Sequence, residues 1–299
     1  LEALARRIET TRDLQSIVRT MKTLSAVTIR RCERASQAVR AYDETIDQGL
    51  QILLRDRRVA DSAIAAAEAA NRGPVGLIVL GSDHGLCGRY NRVAAGAALE
   101  DIAAHGAVGV TIAAVGARVA DILDSAGHPP RAIHATPGSV GGLRETTGAL
   151  LSLADAWRHD EGISRLRIAH AMQTPESPAR PVAMSLLPVS PSYLRAQAAR
   201  PWPSRRLPTH FEARDLMLAR LVREHVFVRI YRALAVAQSS EHASRIAAMQ
   251  SAERGIRDHL VEMDAAHRQR RQEQITTEMI DVVAGAALTA RRRGAREDR

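Results

Sequence analysis

Aromatic residues are scarce: two Phe, two Trp and four Tyr in 299 positions, 3% in all. Aromatic side chains dominate the burial of a thick core, so their scarcity argues against one compact globule. Cysteine is almost missing as well. Cys32 and Cys87 stand far apart and match no C-x-x-C ligand spacing, which excludes a disulfide framework and predicts two reduced thiols. No apolar run approaches the roughly 20 residues that cross a bilayer; the longest, residues 75–81, is short and mid-chain. Residues 1–12 are charged throughout, without the apolar segment of a signal peptide, so the expectation is a soluble, unexported chain. Lysine is reduced to Lys22 alone.

The net charge of +9 is carried by arginine and spread evenly. Residues 1–73 hold 13 basic and 10 acidic side chains, residues 74–208 hold 13 and 10, and residues 209–299 hold 16 and 13. No third is a dedicated basic module, which weighs against a nucleic-acid-binding domain. Arg19, Lys22, Arg30, Arg31, Arg34 and Arg40 face Glu33 alone in one stretch. With so few aromatics to stack bases, an acidic protein partner suits this run better than single-stranded nucleic acid, and a solvated helix face is the plainer reading.

Proline supplies the domain plan. All 12 prolines lie between Pro74 and Pro208, and the first 73 residues contain two glycines, the last 91 three. Proline in a helix interior costs about 3 kcal/mol, so the proline-free ends permit long unbroken helices. Leu14, Ile17, Met21, Leu24, Thr28, Arg31, Ala35, Ala38 and Tyr42 follow heptad spacing and predict the seam of the first helix. Ile246, Met249, Ile256, Leu260, Met263, Ile275, Met279 and Val282 make a similar stripe near the other end. At 1.5 Å per residue the two helices would reach roughly 80 and 120 Å, too long for the middle segment to cover. They must cover each other or be enclosed by something else. The expected domains are an N-terminal coiled-coil helix (1–73), a central domain with its linker (74–208), and a C-terminal coiled-coil helix with a charged tail (209–299).

The middle alternates short apolar runs with helical stretches. Strands are predicted over 75–80, 108–115, 131–135, 165–172 and 181–187, and helices over 91–105, 117–126 and 143–158. That alternation implies a small doubly wound, Rossmann-like α/β domain. The fold class is therefore α/β, with a long antiparallel coiled coil of the chain ends.

Gly81-Ser82-Asp83-His84-Gly85-Leu86-Cys87-Gly88 follows a strand and precedes a helix, where phosphate loops sit. It lacks the Gly-Lys-Ser/Thr ending of a P-loop and fails G-x-G-x-x-G, so a structural turn is the better reading. Asp83, His84 and Cys87 signal no fourth metal ligand, and Cys87 reads as a buried small group. Glu224-His225 and Glu241-His242 have no second histidine at helical spacing and read as solvated face residues. No cofactor and no metal are expected.

Four motifs carry a family likeness over nearly the whole chain. Arg6-Arg7-Ile8-Glu9 with Ile17-Val18-Arg19-Thr20-Met21-Lys22-Thr23-Leu24-Ser25-Ala26 resembles the first helix of F-type ATP synthase γ subunits. Ser82-Asp83-His84-Gly85-Leu86-Cys87-Gly88-Arg89-Tyr90-Asn91 is similar to their internal signature. Ser240-Glu241-His242-Ala243-Ser244-Arg245-Ile246-Ala247-Ala248-Met249 resembles the start of their terminal helix. Arg271-Gln272-Glu273-Gln274-Ile275-Thr276-Thr277-Glu278 and Asp281-Val282-Val283-Ala284-Gly285-Ala286-Ala287 are similar to its close.

The resemblance implies a non-catalytic rotor shaft. Its terminal helices would stand inside a ring of three α and three β subunits, with the α/β domain touching the ε subunit and the ring of c subunits. It implies rotor–stator contacts at Met21, Lys22, Arg245, Arg271, Gln272, Thr276 and Glu278, and a structural role for Asp83, Gly85, Leu86, Cys87, Gly88 and Asn91. It also implies a place on the cytoplasmic face of a bacterial inner membrane, reached only through the complex. Ile246, Arg254-Gly255-Ile256 and the charged residues 291–299 depart from the family pattern and point to a divergent or alternative F-type ATPase. The competing reading of the same residues is a free-standing coiled-coil adaptor for an acidic partner.

Overall fold

The computed structural model describes residues 1–105, 109–202, 204–206, 208–209 and 211–297, with side chains through Val283; the tail side chains 291–299 lie outside the described residues. The elements run α1 (Glu2–Ala38), α2 (Arg40–Leu54), α3 (Arg57–Ala70), β1 (Val75–Leu80), α4 (Tyr90–His105), β2 (Val110–Val115), α5 (Ala117–Ser125), β3 (Ala132–His134), a 3-10 turn (Val140–Gly142), α6 (Leu143–Asp160), β4 (Arg165–Met172), β5 (Arg180–Leu187), α7 (Pro191–Ala199) and α8 (Arg214–Glu297). The first long helix is interrupted at Val39, which itself keeps right-handed helical angles. It ends at Leu54, where Asp56 turns the chain and caps α3 by accepting from the Arg58 amide at 2.9 Å. Helix α7, which the proline-rich composition of its surroundings conceals, starts with Pro191 at its first turn, where the missing N–H costs nothing.

The chain forms two compact units, one of Leu1–Lys22 with Met249–Arg299 and one of Thr23–Ala248, and helices α1 and α8 contribute to both.

In the larger unit a five-stranded sheet has the order β3-β2-β1-β4-β5, parallel except for the antiparallel β4–β5 pair. Central β1 is buried along its whole length, which is why its sequence is continuously apolar rather than alternating. Its side chains divide between two cores. Leu77 and Val79 pack with Ala94 and Ala98 of α4 and Val119 and Leu123 of α5. Ile78 and Leu80 pack with Leu150 and Trp157 of α6 and with Val226, Ile230, Ala233 and Leu234 of α8. Helix α8 is thus one of the layers that covers the sheet. On the α4 side Arg167 of β4 grips Asp101 with two bonds, Nε to Oδ2 at 2.7 Å and Nη2 to Oδ1 at 2.5 Å, a bidentate pair with little exposure.

In the smaller unit α1 and α8 run antiparallel: Arg12 meets Asp264, while Arg19 and Lys22 meet Glu253. The covered stripe of α1 there is Leu4, Ile8, Thr11, Gln15, Val18 and Lys22, spaced by fours and threes. It corrects the predicted seam at Leu14, Ile17, Leu24, Arg31, Ala38 and Tyr42, whereas predicted Met21 and Thr28 are half-buried and Ala35 is buried. Leu14 and Ile17 are 49% and 53% exposed. In the larger unit the stripe continues through Ser25, Ile29, Cys32, Ser36 and Val39, and Leu24 is 62% exposed. The cause is electrostatic. Glu253 sits in the α8 seam between Met249 and Ile256 with Lys22 over it. Turning α1 to bury Leu14 and Ile17 would leave this largely buried carboxylate without its cations. On α8 Met249, Ile256, Leu260 and Met263 are covered or half-covered, as the heptad spacing predicts. Beyond His267 every described side chain is exposed, including Ile275, Met279 and Val282.

The role of α8 in the sheet core is testable by chemical denaturation of the full chain, read by the fluorescence of buried Trp157. Ile230→Ala removes a fully buried side chain and is expected to cost about 2–5 kcal/mol. Val261→Ala, at a position 65% exposed, is expected to stay within about 0.5 kcal/mol of wild type.

Candidate functional site: a signature loop and two helix contacts

The loop after β1 is held by three sets of bonds that account for its residue types. The Ser82 amide donates to Asn91 Oδ1 at 2.9 Å, Asn91 Nδ2 donates to Ser82 Oγ at 2.8 Å, and the Ser82 hydroxyl donates to the His84 carbonyl at 2.8 Å. Asn91 thereby ties the start of α4 back to the end of β1. Asp83 reaches the other way. It accepts from the Ala117 amide at 2.9 Å and from the Thr136 amide and hydroxyl at 2.7 and 2.6 Å, capping α5 and holding the segment after β3. Burial alone would raise the Asp83 pKa, but the bonds from Thr136 and Ala117 outweigh it and hold the carboxyl below its ordinary value.

The glycines answer to close approach and to backbone sign. A Cβ on Gly81 would lie 2.3 Å from Val119 Cβ, so a side chain there displaces α5. Gly88 has φ +58°, a left-handed conformation that glycine adopts without strain, and a Cβ there would lie 3.8 Å from Ala248. Leu86 is also left-handed, at φ 62°, with its side chain exposed. Cys87 is buried beside Ser82 and Tyr90, and burial raises its pKa, so it is a packed thiol rather than a nucleophile. The Ser82 amide and hydroxyl, the Asn91 amide and the Asp83 carboxylate are all committed to bonds that hold the loop in place. Asp83, His84 and Cys87 do not converge as metal ligands; among the described residues the gathered group is Asp43, Asp47 and His225.

The loop meets α8 at Arg245. This arginine is 9% exposed; its guanidinium donates to Glu241 at 2.5 Å, to His242 Nδ1 at 3.2 Å and to the Gly85 carbonyl at 3.5 Å. His242 Nδ1 also faces the Ser25 hydroxyl of α1 at 3.2 Å. Burial and then the Arg245 charge push the His242 pKa down to about 4, so the ring is neutral at pH 7 and accepts through Nδ1. Burial pushes the Glu241 pKa up, opposed by Arg245 beside it. Glu241-His242 and His225 are therefore buried or half-buried, not solvated face residues. The sequence reading erred there because it took α8 for a helix with a wet face throughout, and this stretch is wrapped by α1, the loop and the sheet.

Of the other residues singled out by motif, Met21 is half-exposed and Lys22 donates to Glu253 at 2.6 Å. Arg271, Gln272, Thr276 and Glu278 are exposed on α8. Thr276 donates to the Gln272 carbonyl at 2.8 Å and Glu278 accepts from Gln274 at 2.9 Å, both bonds within the helix. Arg30, Arg31 and Arg34 are exposed. The residue that sequence reasoning missed is Glu253; the available signal was an acid at a heptad position between Met249 and Ile256.

The Lys22–Glu253–Arg19 cluster yields a pH signature. Lys22 first, then Arg19, holds the Glu253 carboxyl at about 2, below its ordinary 4.5. A carboxylate with a depressed folded-state pKa stabilises the fold above the ordinary value and loses that contribution as the pH falls toward 2. Lys22→Met is expected to lower the melting temperature at neutral pH. The gap to wild type should close between pH 4.5 and about 2 in melts followed by circular dichroism. A gap that stays constant through that window would show that the charge pair contributes nothing.

The pattern that defines the ATP synthase family matches residues 1–288. The ATP synthase gamma chain of Bartonella bacilliformis is 26% identical over 298 residues, covering 96% of this chain and 98% of that one. The gamma chain of Geotalea daltonii is also 26% identical, covering 96% and 97%. Among solved structures, a chain of the Euglena gracilis mitochondrial ATP synthase rotor superposes with a TM-score of 0.59 at 14% identity, covering 92% of this chain and 98% of that one. A chain of the same enzyme's OSCP/F1/c-ring assembly gives 0.61 at 14% identity, covering 96% and 94%. At that identity the superpositions speak for the fold, and the family match over residues 1–288 speaks for descent. This chain belongs to the ATP synthase family.

Proposed function

We propose that the chain is the central rotor shaft of a rotary ATP synthase, coupling ion-driven rotation of a membrane ring to ATP synthesis or hydrolysis on surrounding subunits. It performs no catalysis itself. In this reading residues 1–73 and 209–299 supply the shaft helices and residues 74–208 the head. The partners are the α and β subunits around the helices, with the ε subunit and the c ring at the head. The complex lies at the cytoplasmic face of a bacterial inner membrane. Among the described residues no helix is long and apolar enough to cross a membrane, so attachment would come through partners.

The observation that carries this reading is apolar surface left over after the helices have paired. Leu14 and Ile17 of α1, and Ile275, Met279, Ile280, Val282 and Val283 of α8, are all about half exposed or more. A coiled coil that buried its best apolar residues in its own seam would need no enclosure; this one leaves them for a surrounding surface. A rotating shaft adds a second demand, which is that contacts must be made and broken. Met21, Arg271, Gln272, Thr276 and Glu278 are accessible for such contacts, whereas Lys22 and Arg245 would have to give up bonds within the chain. An asymmetric shaft meets three catalytic subunits differently, so its angle biases their nucleotide affinities, and nucleotide binding biases its angle in return.

Co-expression with α and β subunits tests the proposal. The chain is expected to co-purify with them as an ATPase. Gln272→Ala with Thr276→Ala is expected to lower turnover or recovery several-fold. The helical signal should not change, because exposed helix positions move stability by only about 0.5 kcal/mol. A chain that stays apart from α and β would favour the adaptor reading. Wild-type turnover in the double variant would remove this face from the contact set.

A further inference from the structure

Asp43 and Asp47 stand one turn apart on α2, and His225 reaches them from α8. One ligand atom from each lies within 4.8 Å of the other two. Both carboxylates also have a second contact in place. Asp43 Oδ2 accepts from Arg232 at 3.1 Å, and Asp47 Oδ1 accepts from the Tyr193 hydroxyl, which leaves the other oxygen of each carboxylate free. The Tyr193 ring lies against the His225 ring, with centroids 5.2 Å apart and planes tilted by 36°. His225 is 7% exposed, yet its Nδ1 has no hydrogen-bond partner. Burying a polar nitrogen without a partner is costly, and a ring contact does not repair it. A buried, unsatisfied imidazole beside two carboxylates, each steadied by a neighbour, is what a metal site looks like before the ion arrives.

We propose that Asp43, Asp47 and His225 bind one divalent first-row transition ion, Zn²⁺ being the fitting occupant, and that the ion clips α2 to α8. One imidazole and two carboxylates match the three protein ligands of an open zinc site, with water in the fourth place. Zinc with bonds of about 2.0–2.2 Å sets tetrahedral donors about 3.3–3.6 Å apart, so the carboxylates need rotate inward by no more than about an ångström. Mg²⁺ and Ca²⁺ ask for six or more oxygen ligands and gain nothing from an imidazole. Arg232 beside Asp43 further reduces the negative charge that such hard ions require.

The test uses the full chain, stripped with a chelator and titrated with Zn²⁺ in a calorimeter. One ion per chain at micromolar affinity is expected, undisturbed by millimolar Mg²⁺, with a melting temperature raised by several degrees. His225→Gln, and separately Asp43→Asn with Asp47→Asn, are expected to weaken binding at least about tenfold and to abolish the melting shift. Binding no tighter than about 100 µM, or binding that persists in both variants and so belongs to other histidines, would overturn the proposal. If a variant loses its helical signal, Co²⁺ bound to the wild-type chain decides. Intense visible bands of a four- or five-coordinate ion support the site, and the pale spectrum of six-coordinate Co²⁺ overturns it.

Discussion

Two helices from opposite ends of the chain must pair antiparallel, and the pairing angle of α1 is set by one carboxylate. Glu253 occupies a heptad position of α8, and its cations, Lys22 and Arg19, come from α1. A charge at a coiled-coil seam lowers stability relative to an apolar residue but specifies register and rotation. Here the rotation it selects turns Leu14 and Ile17 outward. The apolar residues that chain statistics assign to an internal seam are thereby left for an external surface. The exposed face is thus a consequence of how the seam is satisfied, and the proposed enclosure by other subunits rests on it.

The larger unit shows how α8 can be both a shaft helix and part of a globular core. Val226, Ile230, Ala233 and Leu234 form a layer against β1 and β4, so this part of α8 cannot turn without the sheet. The signature loop adds a second attachment through the Arg245 contact to Gly85 and the packing of Gly88 beside Ala248. Asp83 and Asn91 hold the loop from behind by capping α5 and tying β1 to α4. A motif that resembles a nucleotide loop therefore joins β1, α4, α5 and α8 through bonds within the chain. The polar groups of Ser82, Asp83 and Asn91 are spent on holding that joint together.

Much of this architecture was legible in the sequence. Confinement of all 12 prolines to positions 74–208 announces proline-free helices on either side. The apolar run Val75–Leu80 reads as a strand buried on both faces because both its cores are intramolecular. Four ordered motifs carry the family. Apart from α7 and the turn at Asp56, what stayed hidden shares one physical cause, the sidedness of a helix whose partner lies far along the chain. α1 carries two stripes at heptad spacing, one residue out of step, and periodicity alone cannot rank them. The choice belongs to Glu253, 231 positions beyond Lys22.

The same reason explains the histidines. His225 and His242 sit on a helix that looks wet from its own sequence, and only the sheet, α2 and the loop around it bury them. Asp43, Asp47 and His225 are separated by most of the chain, and nothing in their spacing joins them until α2 and α8 pack. The sequence by itself determined most of the helices and strands, helix α7 and the break before α3 excepted, and the family to which they belong, because those depend on local propensity and ordered motifs. Tertiary structure alone decided which helix face turns inward and which distant polar groups meet, because burial is a property of the neighbours and not of the segment.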